Sequence, residues 1–271
     1  MSRRFIAAAV QLNSCPDKDA NRRKAETLVR AAAARGAVLV VLPEVFFWRG
    51  PRAEEVDAAE PIPGPTVEYL AALARDLRVH IVAGSILERV PGQDKVFNTS
   101  TVFNQQGELI ARYRKLHLFD VDIPGQVSIR ESDTRVRGAE TVIVRTDIGV
   151  IGLSVCYDLR FPELYRRLVR DGAEIVCLPS AFTFPTGAAH WEVLVRARAI
   201  ENQVYVVAAD QFGRSPGGFN DYGHSLIVDP WGTPVAQAPD GENVIVAEID
   251  LDYLHRVRRD LPCLEHAVLL R

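Results

Sequence analysis

The sequence contains little lysine, few cysteines and no long apolar segment. Four of the 32 basic residues are lysine, at Lys18, Lys24, Lys95 and Lys115, and arginine supplies the rest. No apolar stretch approaches the roughly 20 residues that a membrane-spanning helix needs. The four cysteines include no CxxC pair, so neither a disulfide framework nor a zinc or redox motif is indicated. We therefore expect a protein of the reducing cytoplasm without a membrane partner.

Neither the net charge nor the sequence motifs indicate a nucleic-acid or nucleotide partner. Basic and acidic residues nearly balance, 32 against 35, for a net charge of −3. Neither G-x-x-x-x-G-K-[ST] nor G-x-G-x-x-G occurs. Arg3-Arg4 and the apolar run 5–10 resemble a signal peptide, but the run is shorter than the usual ~7–15 residues. An opening β-strand is the better interpretation.

Apolar runs alternate with amphipathic segments along the chain, which predicts strands and helices in turn. The predicted strands lie near residues 5–12, 38–43, 79–85, 98–103, 109–115, 150–155 and 174–179, and the predicted helices near 20–35, 66–76 and 190–202. Continuous apolar runs such as 38–42 indicate strands that are buried on both faces.

The second half of the chain repeats the pattern of the first. Residues 36–43 match 172–179 at an offset of 136, whereas 79–83 match 204–208 and 102–107 match 227–232 at an offset of 125. One such match would be chance similarity between buried strands, but three in the same order favour a pseudo-two-fold repeat. Two sheets face to face with helices outside would form an α/β fold, a four-layer α-β-β-α sandwich. Neither half could bury its sheet alone, so residues 1–271 are expected to form one domain.

Two candidate catalytic residues follow predicted strands. Glu44 follows the strand at 38–43, and Cys156 follows the strand at 150–155. In open α/β sheets, ligands bind beyond the carboxyl ends of strands. Pro162 suits the first turn of a helix, so Cys156 lies in a strand–turn–helix segment that can present a nucleophile. The alternative is an inert buried thiol, which is also our interpretation of Cys177.

Lys115 is the third candidate, because it lies at the end of the predicted strand at 109–115 in a chain whose usual cation is arginine. A lysine ammonium is a compact point charge that can donate to one developing oxyanion, whereas arginine is a planar fork. An exposed lysine at a strand end is the alternative. The segment 119–137 shows no strong periodicity and is predicted to be a long loop near the site.

Three motifs together resemble the nitrilase, or carbon–nitrogen hydrolase, superfamily. They are Leu-Pro-Glu44, Tyr-Arg-Lys115-Leu-His and Val-Cys156-Tyr-Asp-Leu-Arg-Phe-Pro-Glu. The resemblance covers essentially the whole chain. It implies that Cys156 is the nucleophile, Glu44 the general base and Lys115 the stabiliser of the tetrahedral intermediate, with no metal or organic cofactor.

Two further residues complete this expected site. The backbone N–H of Tyr157 could join Lys115 in an oxyanion hole. Members of the superfamily often use a second glutamate, for which Glu131 in Arg-Glu-Ser-Asp is the candidate; an exposed loop carboxylate is the alternative. The resemblance also implies a homodimer or a higher homo-oligomer.

Other segments resemble the branch of the superfamily that hydrolyses deaminated glutathione to 2-oxoglutarate and cysteinylglycine. They include Lys115 to Gly125 and the segment from Tyr222 to Gly232. The substrate carries an α-keto carboxylate, which Arg160 could clamp, unless Arg160 pairs with Asp158 or Glu163. Ser180, Phe182 and Thr186 are also expected to line the substrate site.

Three other functions remain as alternatives at this point. They are omega-amidase activity on 2-oxoglutaramate or 2-oxosuccinamate, hydrolysis of other small amides, and a non-catalytic binding role on a hydrolase fold. Nitrile hydrolysis is disfavoured, because aliphatic nitrilases usually show a different neighbourhood after the cysteine.

Overall fold

Strands and helices alternate as the sequence pattern predicts. The structure, a computed structural model, describes residues 3–216 and 218–269. The strands are β1 (Arg4–Gln11), β2 (Ala37–Val41), β3 (His80–Val82), β4 (Ile86–Arg89), β5 (Val96–Phe103), β6 (Leu109–Arg114), β7 (Asp120–Ile123), β8 (Val127–Arg130), β9 (Arg135–Val136), β10 (Ile143–Thr146), β11 (Gly149–Leu153), β12 (Ile175–Ser180), β13 (Tyr205–Asp210), β14 (Phe212–Arg214), β15 (Asn220–Tyr222), β16 (Leu226–Val228), β17 (Pro234–Gln237) and β18 (Asn243–Asp250). The helices are α1 (Lys18–Ala34), α2 (Glu55–Ala58), α3 (Pro65–Leu77), α4 (Pro162–Arg170), α5 (Phe184–Asn202) and α6 (Leu251–Asp260).

The two main sheets share one strand order. The first runs β18-β1-β2-β3-β5-β6, with β4 and β9 also paired to β5, and the second runs β10-β11-β12-β13-β16-β17. In each sheet the first pair is antiparallel, the next two are parallel and the last two are antiparallel. The internal repeat predicted from the sequence is therefore present as a repeated sheet topology.

Side chains that alternate along the strands divide the core into layers. Ala7 of β1 shares a buried cluster with Ile151 of β11, in the other sheet, whereas its neighbour Ala8 packs in a cluster with Val29 of α1. Successive residues of a strand point to opposite faces, so one face of each sheet meets the other sheet and one face meets helices. Helices α1 and α3 cover the first sheet, and α4 and α5 cover the second. The α-β-β-α sandwich is confirmed.

The segment 119–137 is more regular than the sequence suggested. Strands β7 and β8 pair as an antiparallel hairpin, and a 3₁₀ turn, Glu131–Asp133, and β9 follow. Gly125, with a φ of +71°, lies in the turn of the hairpin. The prediction of a long loop is wrong for residues 120–123 and 127–130, because each of these two strands has only four residues, too few to show a clear period.

Among the residues that the structure describes, no helix has the length and apolar character needed to cross a membrane.

Candidate active site

The three predicted catalytic residues meet where strands of the two sheets end. Glu44 follows β2, Lys115 directly follows β6, and Cys156 follows β11. All three are buried, with 3%, 1% and 7% of their surface exposed. They line a common cavity of about 360 Å³. That volume lies in the range of small-molecule sites, roughly 300–1,000 Å³.

The Lys115 ammonium bridges two carboxylates. Its Nζ lies 2.9 Å from Glu44 Oε1 and 2.9 Å from Glu131 Oε2. Burial by itself would lower the pKa of Lys115, but the charges of Glu131 and Glu44 outweigh it and raise that pKa. Asn98 donates to the same Glu44 oxygen at 2.7 Å, which fixes the carboxylate. Lys115 is therefore a charged, immobilised ammonium, and the exposed alternative is wrong.

Glu131 is buried rather than an exposed loop carboxylate. Its Oε2 accepts from Lys115 and from the backbone N–H of Phe119 at 2.8 Å, and its Oε1 accepts from Arg135 Nη1 at 2.6 Å. Burial alone would raise the pKa of Glu131, but Lys115 and Arg135 lower it to about 2. The group is a permanent anion that holds Lys115.

Further buried charges lie behind Glu131, and the sequence pattern did not predict them. Arg135 donates through Nη2 to Glu55 Oε1 at 2.7 Å, and Thr134 donates to Glu55 Oε2 at 2.7 Å. The result is a buried chain of alternating charges that runs from Glu44 to Glu55. Glu55 lies 80 positions before Arg135, so no local pattern could have revealed this pair.

The Cys156 thiol is presented on a strained turn. Its φ is +48°, and it opens the 3₁₀ turn Cys156–Arg160 that leads into α4 at Pro162. A positive φ is rare for a residue with a side chain. Burial and the charge of Glu44 raise the pKa of Cys156 well above its usual range, although Lys115 and a backbone hydrogen bond from Ala181 oppose the shift. The thiol is consequently protonated at neutral pH until a base takes its proton.

The Asp158 carboxylate stabilises the 3₁₀ turn Cys156–Arg160, of which it is part. Its Oδ2 accepts from the Val155 N–H at 2.8 Å and from the Tyr113 hydroxyl at 2.6 Å. Its Oδ1 lies 3.1 Å from the His117 backbone N–H and 2.7 Å from His117 Nδ1. The carboxylate is thus occupied, and His117 has a structural contact rather than a place beside the thiol.

The loop that carries Glu44 is held by backbone contacts. Gln211 donates to the Glu44 carbonyl at 2.9 Å, and the Glu44 N–H donates to the Ser180 carbonyl at 3.3 Å. Gly84, with a φ of +47°, lies so close that an added Cβ would stand 1.9 Å from the Pro43 carbonyl oxygen. Ser180 was expected to line the cavity, but it is the last residue of β12 and does not line the cavity, because the strand ends one residue later than predicted.

The other predicted wall residues do line the cavity. Arg160, Phe182 and Thr186 all contribute to it, and the Arg160 guanidinium lies 5.1 Å from the centre of the Phe182 ring. Within the described ranges, Arg160 pairs with no carboxylate; its Nη1 lies 3.3 Å from His190 Nδ1. Pairing with Asp158 or Glu163 is therefore not observed, and the cation is available to a ligand.

Several wall residues were not anticipated. They are Trp48, Arg49, Arg52, Phe119, Pro216 and Phe219. Arg49 forms a buried ion pair with Asp221, which ties the β14–β15 hairpin to the segment after Glu44. The aromatic run after Glu44 was a visible signal for this wall, whereas Arg49 and Asp221 are 172 positions apart.

The chain resembles known proteins along nearly its whole length. The family description for carbon–nitrogen hydrolases matches residues 6–259. A protein of Bos taurus named deaminated glutathione amidase is 46% identical over 96% of this chain and 81% of its own. A protein of the same name from Synechocystis is 41% identical over 98% of this chain and 99% of its own. A chloroplastic omega-amidase of Arabidopsis thaliana is 41% identical over 96% of this chain and 71% of its own.

Solved structures agree with these sequence relationships. The NitFhit protein of C. elegans matches with a TM-score of 0.92 and 40% identity over 98% of this chain and 65% of that chain. Nit3 of Saccharomyces cerevisiae, a member of the nitrilase superfamily, matches with a TM-score of 0.87 and 37% identity over 96% of this chain and 94% of that chain. In a structure of the amidase from Nesterenkonia sp. AN1, acrylamide has added to the active-site cysteine; that match has a TM-score of 0.77 and 26% identity over 95% of this chain and 98% of that chain.

The chain therefore belongs to the carbon–nitrogen hydrolase family, within the nitrilase superfamily. It is an amide-hydrolysing enzyme, and the alternative of a non-catalytic binding protein is wrong.

Proposed function

We propose that the enzyme hydrolyses deaminated glutathione to 2-oxoglutarate and cysteinylglycine through a thioester on Cys156. The observation that carries the proposal is the contact of Lys115 with both Glu44 and Glu131 in the cavity that Cys156 lines. The relatives named deaminated glutathione amidase supply the substrate class.

In the first step, Sγ of Cys156 attacks the amide carbonyl while Glu44 takes the thiol proton. A general base is needed because the raised pKa of Cys156 leaves little thiolate at neutral pH. The carbonyl oxygen becomes an oxyanion, which the Lys115 ammonium and the Tyr157 backbone N–H stabilise. Tyr157 lies in the first turn of a 3₁₀ segment, where backbone N–H groups lack intrahelical partners. Loss of one such donor typically costs ~10²–10³ in rate.

The tetrahedral intermediate then collapses with cleavage of the C–N bond. Glu44 returns the proton to the leaving amine, which departs as cysteinylglycine, and the acyl group remains on Sγ as a thioester. In the second step, Glu44 takes a proton from water as the water attacks the thioester. Collapse releases 2-oxoglutarate and returns the proton to Sγ, so the enzyme is regenerated.

Arg160 is proposed to bind the α-keto carboxylate of the acyl group. The guanidinium lines the cavity, has no carboxylate partner among the residues that the structure describes, and belongs to the same 3₁₀ turn as the proposed nucleophile. Phe182 and Thr186 form the adjoining wall. A bidentate arginine–carboxylate contact is stronger and more directional than a neutral hydrogen bond.

Omega-amidase activity is the second candidate, because a relative with that name is 41% identical to this chain. The acyl group is the same, but the leaving group is ammonia instead of a dipeptide. The test compares kcat/KM for deaminated glutathione with that for 2-oxoglutaramate. A higher value for the peptide supports the proposal, and a higher value for 2-oxoglutaramate reverses it.

The thioester is tested by mass spectrometry of enzyme quenched during turnover. We expect wild-type protein to gain the mass of the 2-oxoglutaryl group on Cys156, and C156A to gain none. The matched control is C177A, because Cys177 is equally buried but lies in β12 outside the cavity. Acylation of C156A would refute the assigned nucleophile.

We propose further that residues 1–271 form one domain that assembles as a homodimer or higher homo-oligomer in the cytoplasm. Pairing of β18 with β1 joins the two ends of the chain in one sheet, which supports a single domain. Ile200 and Trp231 are apolar side chains that are 50% and 59% exposed. Ile200 lies against Gly232, the residue after Trp231. This exposed apolar surface supports the proposal that it is buried in an assembly. Sedimentation velocity measures the assembly state, and a monomer at micromolar concentration would refute that part.

A further inference from the structure

Four arginines line the catalytic cavity, and they fall into two classes. Arg49 pairs with Asp221, and Arg135 pairs with Glu55 and Glu131. Within residues 3–216 and 218–269, neither Arg52 nor Arg160 forms a salt bridge, although both line the same cavity. The cavity therefore holds two cations whose guanidinium groups are not neutralised by direct pairing. Arg160 is already assigned to the α-keto carboxylate, and Arg52 has no role in that reaction scheme.

Arg52 and Arg160 belong to different segments of the cavity wall. It opens the 3₁₀ turn Arg52–Glu54, and its Nη1 donates to the carbonyl of Arg130 at 3.1 Å. Arg130 directly precedes Glu131, the partner of Lys115. Arg160, by contrast, belongs to the turn of Cys156 and stacks near Phe182. The two arginines, Cys156 and Lys115 all line one cavity, so a ligand bound there has both cations and both reactive groups around it.

The surroundings of Arg52 favour an anion. Arg52 is partly buried and lies close enough to Arg135 for their charges to repel. The carboxylates nearby are occupied: Glu55 by Arg135 and Thr134, and Glu131 by Lys115 and Arg135. Asp133 also lies near, but it is exposed to solvent. A partly desolvated cation without a direct carboxylate partner is costly, and a bound anion relieves that cost.

The proposed substrate has a second carboxylate, which lies in its leaving group. Cysteinylglycine is the leaving group, and its glycine carboxylate lies up to about 7 Å from the scissile nitrogen, since two extended residues span that length. The guanidinium can meet a carboxylate with two parallel N–H donors. We propose that Arg52 binds the terminal carboxylate of the leaving dipeptide, an assignment that depends on the proposed function. Arg52 would then distinguish peptide-like amides from simple carboxamides, whose leaving group is ammonia.

The test varies the enzyme and the substrate together. The enzymes are wild type, R52Q, R52K and R130Q, and the substrates are deaminated glutathione and the same compound with its glycine carboxylate converted to an amide. Arg130 is the matched control, because it is exposed, neighbours Glu131 and does not line the cavity. The measured quantity is the ratio of kcat/KM for the acid to kcat/KM for the amide.

We expect wild type and R130Q to prefer the acid by roughly 10- to 100-fold, the usual effect of a charge-assisted hydrogen bond. R52Q should reduce that preference to about threefold or less, and R52K should recover part of it because the charge remains. A local distortion in R52Q would lower both rates without changing their ratio, so the ratio reports carboxylate recognition.

Two negative results have different meanings. If wild type hydrolyses deaminated glutathione but R52Q retains the full preference for the acid, the assignment of Arg52 is wrong while the proposed function stands. If wild type hydrolyses neither peptide substrate yet forms the 2-oxoglutaryl thioester from 2-oxoglutaramate, the proposed function is wrong, and the Arg52 subsite is refuted with it.

Discussion

Arg135 donates through Nη1 to Glu131 Oε1 at 2.6 Å, while the other oxygen of Glu131 holds the Lys115 ammonium. The arginine is thus one residue removed from the ammonium that contacts Glu44. Arg135 is 8% exposed and Glu131 is 5% exposed, so solvent screens this arrangement little. The position of Lys115 depends on charges that lie beyond Glu44 and Cys156, its proposed catalytic partners.

Replacement of Arg135 should impair catalysis through Lys115. We expect R135M to lower kcat by roughly 10- to 100-fold, the effect of losing one charge-assisted hydrogen bond. Without Arg135 the pKa of Glu131 rises towards its usual value, so the acidic limb of the kcat–pH profile should move to higher pH. R135K should restore part of the lost kcat and reverse part of the shift in the acidic limb. An unchanged acidic limb in R135M would argue that Arg135 acts on folding alone.

Stability at acid pH should depend on Glu131. Its pKa is about 2 in the folded protein and near 4.5 in the unfolded chain, so the unfolded state binds the proton first as the pH falls. The stabilisation is therefore complete above about pH 5 and declines as the pH approaches 2. E131Q should lose less unfolding free energy than wild type between pH 6 and pH 3 in urea titrations. The control is E192Q, because Glu192 lies in an exposed pair with Arg196. Equal losses in E131Q and wild type would contradict the prediction.

A guanidinium should not replace the Lys115 ammonium. Lys115 is 1% exposed and lies 2.9 Å from each of two carboxylates, so a larger planar group cannot keep both contacts and also face the oxyanion. We expect K115R to lower kcat by ~10² or more. K95R is the control on an exposed lysine. A near-normal rate in K115R, with a circular dichroism spectrum like that of wild type, would defeat the argument for a compact charge.

The strained turn at Cys156 should be sensitive to Asp158. Y113F removes one of the donors to this carboxylate and should cost about 0.5–1.5 kcal/mol of unfolding free energy. D158N keeps the shape but turns one acceptor into a donor that faces other donors, so a loss of about 2–4 kcal/mol is expected. Chemical denaturation measures both values. A smaller loss for D158N than for Y113F would show that the carboxylate does not organise the turn.

Local signals account for what the sequence predicted. Glu44 and Cys156 could be singled out because each follows a strand whose apolar run is visible in the sequence, and Lys115 because lysine is scarce and this one lies at a strand end. Their expected roles came from the resemblance of the surrounding motifs. The repeat was recognisable because buried strands keep similar composition. In contrast, the contacts of Asn98 with Glu44 and of Arg135 with Glu55 join residues 54 and 80 positions apart. Such contacts depend on how the sheets pack, which no local pattern records.

Ser180 shows a different kind of error. The wrong assignment came from the expected end of the strand, which lies one residue later in the structure. At the offset of 136, Ser180 is the counterpart of Glu44, and the two residues touch through the Glu44 N–H and the Ser180 carbonyl. The position that supplies the Glu44 carboxylate in the first copy of the repeat is Ser180 in the second copy, where its backbone carbonyl supports Glu44.

The shared strand order of the two sheets has a practical consequence. One sheet supplies Glu44 and Lys115, and the other supplies Cys156, so the base and the ammonium reach the thiol only when both are assembled. The stretch 137–142, between β9 and β10, separates Glu44 and Lys115 from Cys156 along the chain. Fragments separated there would each carry an incomplete set of reactive groups. Recovery of turnover on mixing such fragments would then report their complementation directly.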